Sequence, residues 1–174
     1  MSVEPAAADE PILRQGDSFE EFYRRERRPL IGLAYVLSGS SRAAEDLAQE
    51  AFLAALRRWD EVSKLDDPGA WIRRVLSNRA VSHFRRSVAE AKALARLVVG
   101  RPNPQVEIPE PSRHVWKAVR SLPRRQAQAV ALYYLEDLTI EQVAAVLGCS
   151  KSAANTHLRR ARARLARLLG EERS

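Results

Sequence analysis

The feature that most constrains this 174-residue chain is a single break in an otherwise continuous helical pattern. From Gly100 to Pro111, in "GRPNPQVEIPEP", four prolines and one glycine fall within twelve residues. Such a stretch sustains neither a helix interior nor a central strand, because proline lacks the amide donor and its ring clashes with the preceding turn. On both sides apolar residues recur with the helical period, and the alternation of a strand is nearly absent. The expected fold is therefore all-α: two small helical domains joined by an extended linker, the C-terminal one containing a helix-turn-helix. Residues 1–16 read as a disordered tail, 17–87 as the first domain, 88–111 as the linker and 112–170 as the second domain. Neither domain is large enough for an elaborate active site, and the linker is expected to leave them without rigid packing on each other.

In the first domain, "FEEFYRRERRPLIGLAYVLSG" places Phe19, Phe22, Tyr23, Leu30, Ala34 and Leu37 at helical spacing, with a kink expected at Pro29 and a stop at Gly39 and the serines. "SRAAEDLAQEAFLAALRRW" follows, with Ala44, Leu47, Ala51, Ala55 and Trp59 in one stripe and Asp46, Gln49 and Glu50 on another face. That is an amphipathic helix with an acidic outer edge. After the loop "DEVSKLDDPG" comes "AWIRRVLSNRAVSHFRR", in which Trp71, Val75 and Leu76 are spaced to pack inward. Its arginines Arg73, Arg74, Arg79, Arg85 and Arg86 meet no acidic residue within the segment.

The second domain carries the more compact signature. "SRHVWKAVRSL" ends at Pro123, well suited to the first turn of "PRRQAQAVALYYLE". Thr139 and Gln142 form a capping box before "IEQVAAVL", Gly148 suits the left-handed closing position, and Ser150 can cap a helix starting at Lys151. A short helix, a tight glycine turn and a longer basic helix make a helix-turn-helix. In that motif the start of the second helix enters the major groove while basic residues beyond it neutralise phosphates. Asn155, Thr156, Arg159 and Arg160 lie within two turns of the start, and Ala154, Leu158, Leu165 and Leu168 form the expected inward stripe.

Charge points the same way. The chain has 29 Lys+Arg against 22 Asp+Glu, a formal net charge of +7 and pI ≈ 10.2, which favours a polyanionic partner. No run of about 20 apolar residues exists to span a bilayer. The N-terminus lacks the basic-then-apolar order of a signal peptide, so the expected location is cytoplasmic, without membrane insertion. One cysteine, Cys149, and three scattered histidines, His83, His114 and His157, offer neither a disulfide nor a metal set, and no cofactor is expected. Simpler readings stand beside these. A basic terminal helix is often only a solvated face, Cys149 suits a buried turn position, and Trp59, Trp71 and Trp116 suit the core, although an aromatic beside a basic helix can also stack on an unpaired base.

Taken in order, "AEDLAQEAFLAALRRW", "WIRRVLSNRAVSHFRR", a linker and "SLPRRQAQAVALYYLEDLTIEQVAAVLGCSKSAANTHLRRARARL" resemble a bacterial RNA polymerase sigma factor of the extracytoplasmic-function (ECF) group. The likeness runs from about Phe19 to Leu169. It implies a sigma factor, not an enzyme, with sigma domains two and four. Its partners would be core RNA polymerase, through the β′ and β subunits, promoter DNA and an anti-sigma factor. Asp46, Gln49 and Glu50 match the segment that docks on the β′ clamp. The loop from Asp60 to Gly69 and the helix after it match the part that captures the melted minus-ten element, implicating Trp71, Arg73, Arg74, Asn78, Arg79, Arg85 and Arg86. Lys151, Ser152, Asn155, Thr156, Arg159 and Arg160 would read the minus-thirty-five duplex.

Two departures from the family pattern affect promoter choice: Asn155-Thr156-His157 stands where a basic residue followed by Ser/Thr-Arg is common, and Ser82 where an aspartate is usual. Few residues follow the recognition helix, so no C-terminal regulatory extension is expected. The alternative function, a stand-alone helix-turn-helix regulator, would leave the acidic edge and the basic third helix without a role.

Overall fold

The structure, a computed structural model, describes residues 18–93 and 110–171, without the side chains of residues 84, 85, 87–93, 110–112 and 171. Its helices are α1 (Phe19–Ser38), α2 (Ser41–Arg57), α3 (Trp59–Val62), α4 (Pro68–Ala93), α5 (Glu110–Ser121), α6 (Arg124–Tyr134), α7 (Ile140–Leu147) and α8 (Lys151–Glu171). No strand occurs among the described residues. The tail at 1–16 and the proline-rich stretch up to residue 109 lie outside them. The second helical segment starts at Glu110, two residues inside the expected linker, and α4 runs to Ala93, past the expected domain end at 87.

Local chemistry sets the helix ends. Ser18 and Glu21 form a capping box that starts α1: the Glu21 amide donates to Ser18 Oγ (3.3 Å) and the Ser18 amide to Glu21 Oε2 (2.9 Å). Gly39 ends α1 in the left-handed region at φ 76°. Pro29 lies inside α1, which continues through it. Leu30, Leu33 and Leu37 of α1 pack with Ala44, Leu47 and Ala51 of α2 and with Ile72 and Leu76 of α4. Trp59 falls in α3 rather than α2, closing an aromatic group with Phe19 and Phe22 at centroid separations of 5.3 and 5.0 Å. The expected loop therefore begins with a helical turn.

In the second half, Val119, Leu132, Val143, Ala154, Leu158 and Ala161 are buried together. The expected inward stripe of α8 holds at Ala154 and Leu158, weakens at half-buried Leu165 and fails at Leu168, which is 37 % exposed. The last turns of α8 extend beyond the helices that would cover them.

The expected lack of packing between the halves is corrected by the structure. Helix α1 lies against α5 and α6, α4 lies against α6 and α7, and the buried side chains of both halves form one continuous cluster. The physical reason is size, because a domain of only about 60–70 residues buries little apolar surface alone and gains by extending its core into a neighbour.

Candidate nucleic-acid interface

Three surfaces carry the residues singled out by sequence. The first is the outer face of α2. Asp46, Gln49 and Glu50 are all exposed, because the helical period turns Ala44, Leu47, Ala48 and Ala51 inward. Beside them α1 and α2 enclose a groove of ≈ 410 Å³ whose lining includes Phe19, Tyr23, Ile31, Gln49, Phe52 and Leu53. Tyr23, Leu53 and Leu56 are 39, 43 and 50 % exposed, an apolar floor next to an acidic rim. The sequence pattern had marked the rim; the apolar floor was the part missed.

The second surface is α4, and here the arginines do not stand apart from carboxylates as their own segment suggested. Arg73 donates from Nη2 to Glu26 Oε2 at 2.9 Å and from Nε to Glu136 Oε2 at 2.8 Å. The carboxylates come from α1 and from the turn after α6, and the Glu26 and Glu136 side chains are only 8 and 4 % exposed. Burial opposes the charge on Arg73, but Glu26 and the hydrogen bond to Glu136 outweigh it and hold the guanidinium more firmly protonated than usual. Burial pushes the Glu136 carboxyl above the usual carboxylate range, Arg73 only partly offsets this, and Glu26 adds repulsion. Arg25 Nε also donates to Glu26 Oε1 at 3.2 Å, so Glu26 has two cationic partners and Glu136 is paired with Arg73.

Farther along α4, Asn78 Oδ1 accepts from Arg124 Nη2 at 2.7 Å and from Gln128 Nε2 at 3.1 Å, both from α6. Arg79, exposed, donates to Glu50 Oε2 at 3.1 Å and ties α4 to the acidic edge. Arg74 and Arg86 are exposed, and Trp71 is half-buried against the core. The Arg85 side chain lies outside the described residues. Asn78, Arg79, Ser82 and Arg86 line an open groove of ≈ 390 Å³ together with Glu50 and Arg124.

The third surface is the start of α8. The local geometry there is as the sequence reads. The Gln142 amide donates to Thr139 Oγ1 (3.3 Å) and the Thr139 amide to Gln142 Oε1 (2.8 Å); Gly148 is left-handed at φ 63°; the Ala153 amide donates to Ser150 Oγ at 3.1 Å. With Ala154 and Leu158 buried, the same helical period turns Lys151, Ser152, Asn155, Arg159 and Arg160 to solvent and leaves Thr156 half-buried. Lys151 pairs with Glu141 of α7. Half-burial and the nearby charges of Arg125 and Arg160 lower the pKa of His157, which favours a neutral imidazole.

These surfaces can be set beside known proteins. Residues 22–89 match Sigma-70 region 2 and residues 112–165 match Sigma-70, region 4. The chain belongs to the sigma-70 family. Among its relatives, the ECF RNA polymerase sigma factor SigM of Mycobacterium tuberculosis is 31% identical over 153 residues, 88% of this chain and 78% of that protein. BldN of Streptomyces coelicolor, also an ECF RNA polymerase sigma factor, is 32% identical over 165 residues, 91% of this chain and 62% of that protein. In fold the chain is similar to the sigma factor RpoE of Bartonella quintana, solved in complex with the anti-sigma factor NepR, with a TM-score of 0.67, 24% identity and coverage of 87% of this chain and 96% of that one.

As an ECF sigma factor, the protein binds core RNA polymerase and directs promoter-specific initiation, and its family consists of DNA-binding initiation factors rather than enzymes. Sequence reasoning missed the partners of this sigma factor's α4. Glu136, Arg124 and Gln128 carry no local signal, since each acts on a residue far away in sequence: Arg73 and Glu136 are 63 positions apart, Asn78 and Gln128 are 50. A glutamate within an apolar helical stripe, as Glu26 is between Phe22 and Leu30, was the one available hint of a buried ion pair.

Proposed function

We propose that residues 17–87 form the sigma domain that holds core polymerase and captures the melted minus-ten element, and that residues 112–170 form the domain that reads the minus-thirty-five duplex. The observation that carries this reading is the separation of two exposed surfaces of opposite chemistry. Asp46, Gln49 and Glu50 offer carboxylates and an amide beside an apolar groove, which suits a basic amphipathic helix such as the β′ clamp. Asn155, Thr156, Arg159 and Arg160 stand outward at the start of a capped helix of major-groove dimensions, with Lys151 and Ser152 placed for phosphates. Between them α4 brings Trp71, Arg73, Arg74, Asn78, Arg79, Arg85 and Arg86 for the unpaired strand, where polar groups hold a flipped base and arginines hold the backbone.

No chemical step falls to this chain; bond formation belongs to the polymerase, and the sigma factor contributes binding energy to strand opening and register. The protein acts in the cytoplasm, and an anti-sigma protein covering the α1–α2 groove would withhold it from polymerase. The test is co-elution of the full chain with core RNA polymerase. Asp46→Lys/Glu50→Lys should reduce that association at least a hundredfold while helical content by circular dichroism stays unchanged. Undiminished binding by a folded double variant would remove the docking assignment.

A further inference from the structure

Away from α4, the seam between the two halves opens where the last turns of α1 meet α5. A cavity of ≈ 270 Å³ lies there, lined by Tyr35 of α1 and by Arg113, His114, Trp116, Lys117 and Arg120 of α5. None of these belongs to the residues assigned to polymerase or promoter DNA. The helical period explains how they gather. Val119, with Leu122 just beyond the helix, turns into the core, whereas Arg113, Trp116, Lys117 and Arg120 follow the spacing i, i+3, i+4, i+7 and share another face.

The cavity is cationic and aromatic at once. No carboxylate lines it among the described residues. Arg120, half-buried, donates from Nη1 to the Val36 carbonyl at 3.1 Å and lies across the left-handed Gly39, where a Cβ would stand 2.9 Å from its Nε. A carbonyl satisfies one N–H but does not neutralise a guanidinium. Burial lowers the pKa of Arg120 and Tyr35 offsets this only in part, as expected of a cation short of a counter-ion. Exposed Lys117 stands three positions away on the same face, near enough for the two charges to repel. Beside them Tyr35 and Trp116 are half-buried, packed against the core yet still open to solvent.

We propose that this cavity binds a nucleoside polyphosphate, with the base against Tyr35 and Trp116 and the phosphates on Arg120 and Lys117. Each part of that ligand class has its reason. A base stacks on any accessible aromatic face, so the two rings accept one without selecting it by hydrogen bonds. An arginine fork and a lysine ammonium supply the charge-assisted bonds that phosphate oxygens take. More than one cation favours more than one phosphate, and exposed His114 adds a further N–H donor. A bare phosphate would leave both rings unused, and an uncharged aromatic would leave Arg120 without a counter-ion. The volume, just under the ~300–1,000 Å³ typical of ligand pockets, suits one nucleotide with its outer phosphates in solvent rather than a strand. Because the walls come from α1 and α5, binding requires both halves together and stabilises the folded chain by mass action.

The test uses the full chain at physiological ionic strength, with ATP and GTP as probes in titration calorimetry. Wild type should bind at least one of them saturably, and its melting temperature should rise with the concentration of that nucleotide. Inorganic triphosphate should bind about fivefold or more weakly, for want of stacking. Lys117→Glu, an exposed change outside the core, should weaken nucleotide binding about tenfold or more, while Arg159→Ala on α8 leaves it unchanged. Tyr35→Leu should lower nucleotide affinity toward that of triphosphate. Because the Tyr35 ring also packs on the core, 8-azido-ATP gives a second measurement on the wild-type chain, with photocrosslinks expected at Tyr35 or Trp116. No saturable binding, triphosphate bound as tightly as the nucleotides, or crosslinks mapping to α8 would each overturn the proposal. So would a tetranucleotide RNA that binds more tightly than ATP through the same residues, which would make the cavity a seat for a nucleic-acid strand.

Discussion

Helices α4 and α8 are both rich in arginine, yet the structure treats their charges in opposite ways. On α4, Arg73 is spanned by two buried carboxylates, Arg74 lies on a glycine turn of the other half and Arg79 is paired with Glu50. On α8, Arg159 and Arg160 are exposed and, among the described residues, make no ion pair. The difference shows that arginine content alone does not mark a DNA-binding face, because a buried guanidinium between carboxylates is a structural cross-link whose removal strands charge. A solvated one is a ligand for phosphate or guanine.

The largest expected difference lies in stability. Arg73→Ala strips Glu136 of its ion pair and leaves Glu26 with Arg25, and should cost about 3–5 kcal/mol, whereas Arg159→Ala should stay within about 0.5 kcal/mol of wild type, as surface changes usually do. Urea unfolding of the two variants measures this directly, and equal costs would erase the contrast between the helices.

Next in size is base reading. Arg159→Ala and Asn155→Ala should each lose about 1–3 kcal/mol of discrimination at one base pair, a guanine for the arginine and an adenine for the asparagine. Competition among duplex variants for the polymerase-bound factor reads it out, and a uniform loss across all sequences would reassign both side chains to phosphate contact.

A smaller effect is expected at the cap that seats the recognition helix. Thr139→Ala removes one half of the capping box and should cost about 1 kcal/mol of thermal or urea stability, with duplex affinity falling by no more than that amount.

The smallest concerns pH. The Glu136 carboxyl, facing Arg73 and Glu26, is pushed up in the closed seam and returns to its ordinary value where the halves part. The closed state therefore binds more protons between those two values, so closure strengthens as pH falls through the raised value and weakens as pH rises through it. Glu136→Gln should flatten that drift in the radius of gyration followed by small-angle scattering from neutral to mildly acid pH.

What the sequence disclosed follows the range of the interactions involved. The box at Thr139 and Gln142, the left-handed Gly148 and the cap at Ser150 are contacts between residues three or four positions apart, and all were readable because their chemistry is local. The outward face of α2 was readable for the same reason, since alanines at Ala44, Ala48 and Ala51 fix which side is buried. The seam was not. Its contacts join α1 to α5 and α4 to the turn after α6, and no periodicity along either helix announces which arginine will meet which carboxylate. The proline-rich stretch even suggested the opposite, because a break in helical pattern says where the chain stops being helical and nothing about whether the pieces on either side dock.

The central claim, that one chain presents α8 openly while its two halves share a packed seam along α4, is tested most directly by the distance between those halves. Fluorophores at Lys64, after α3, and at Ala166, near the end of α8, are both on exposed positions outside the seam and the proposed binding residues. With Cys149→Ser removing the native thiol, energy transfer between them should report a single short separation in the wild-type chain and a clearly longer one in Glu136→Lys, which sets a like charge against Arg73 across the seam. A separation already long in the wild-type chain, or one left unchanged by Glu136→Lys, would contradict the account.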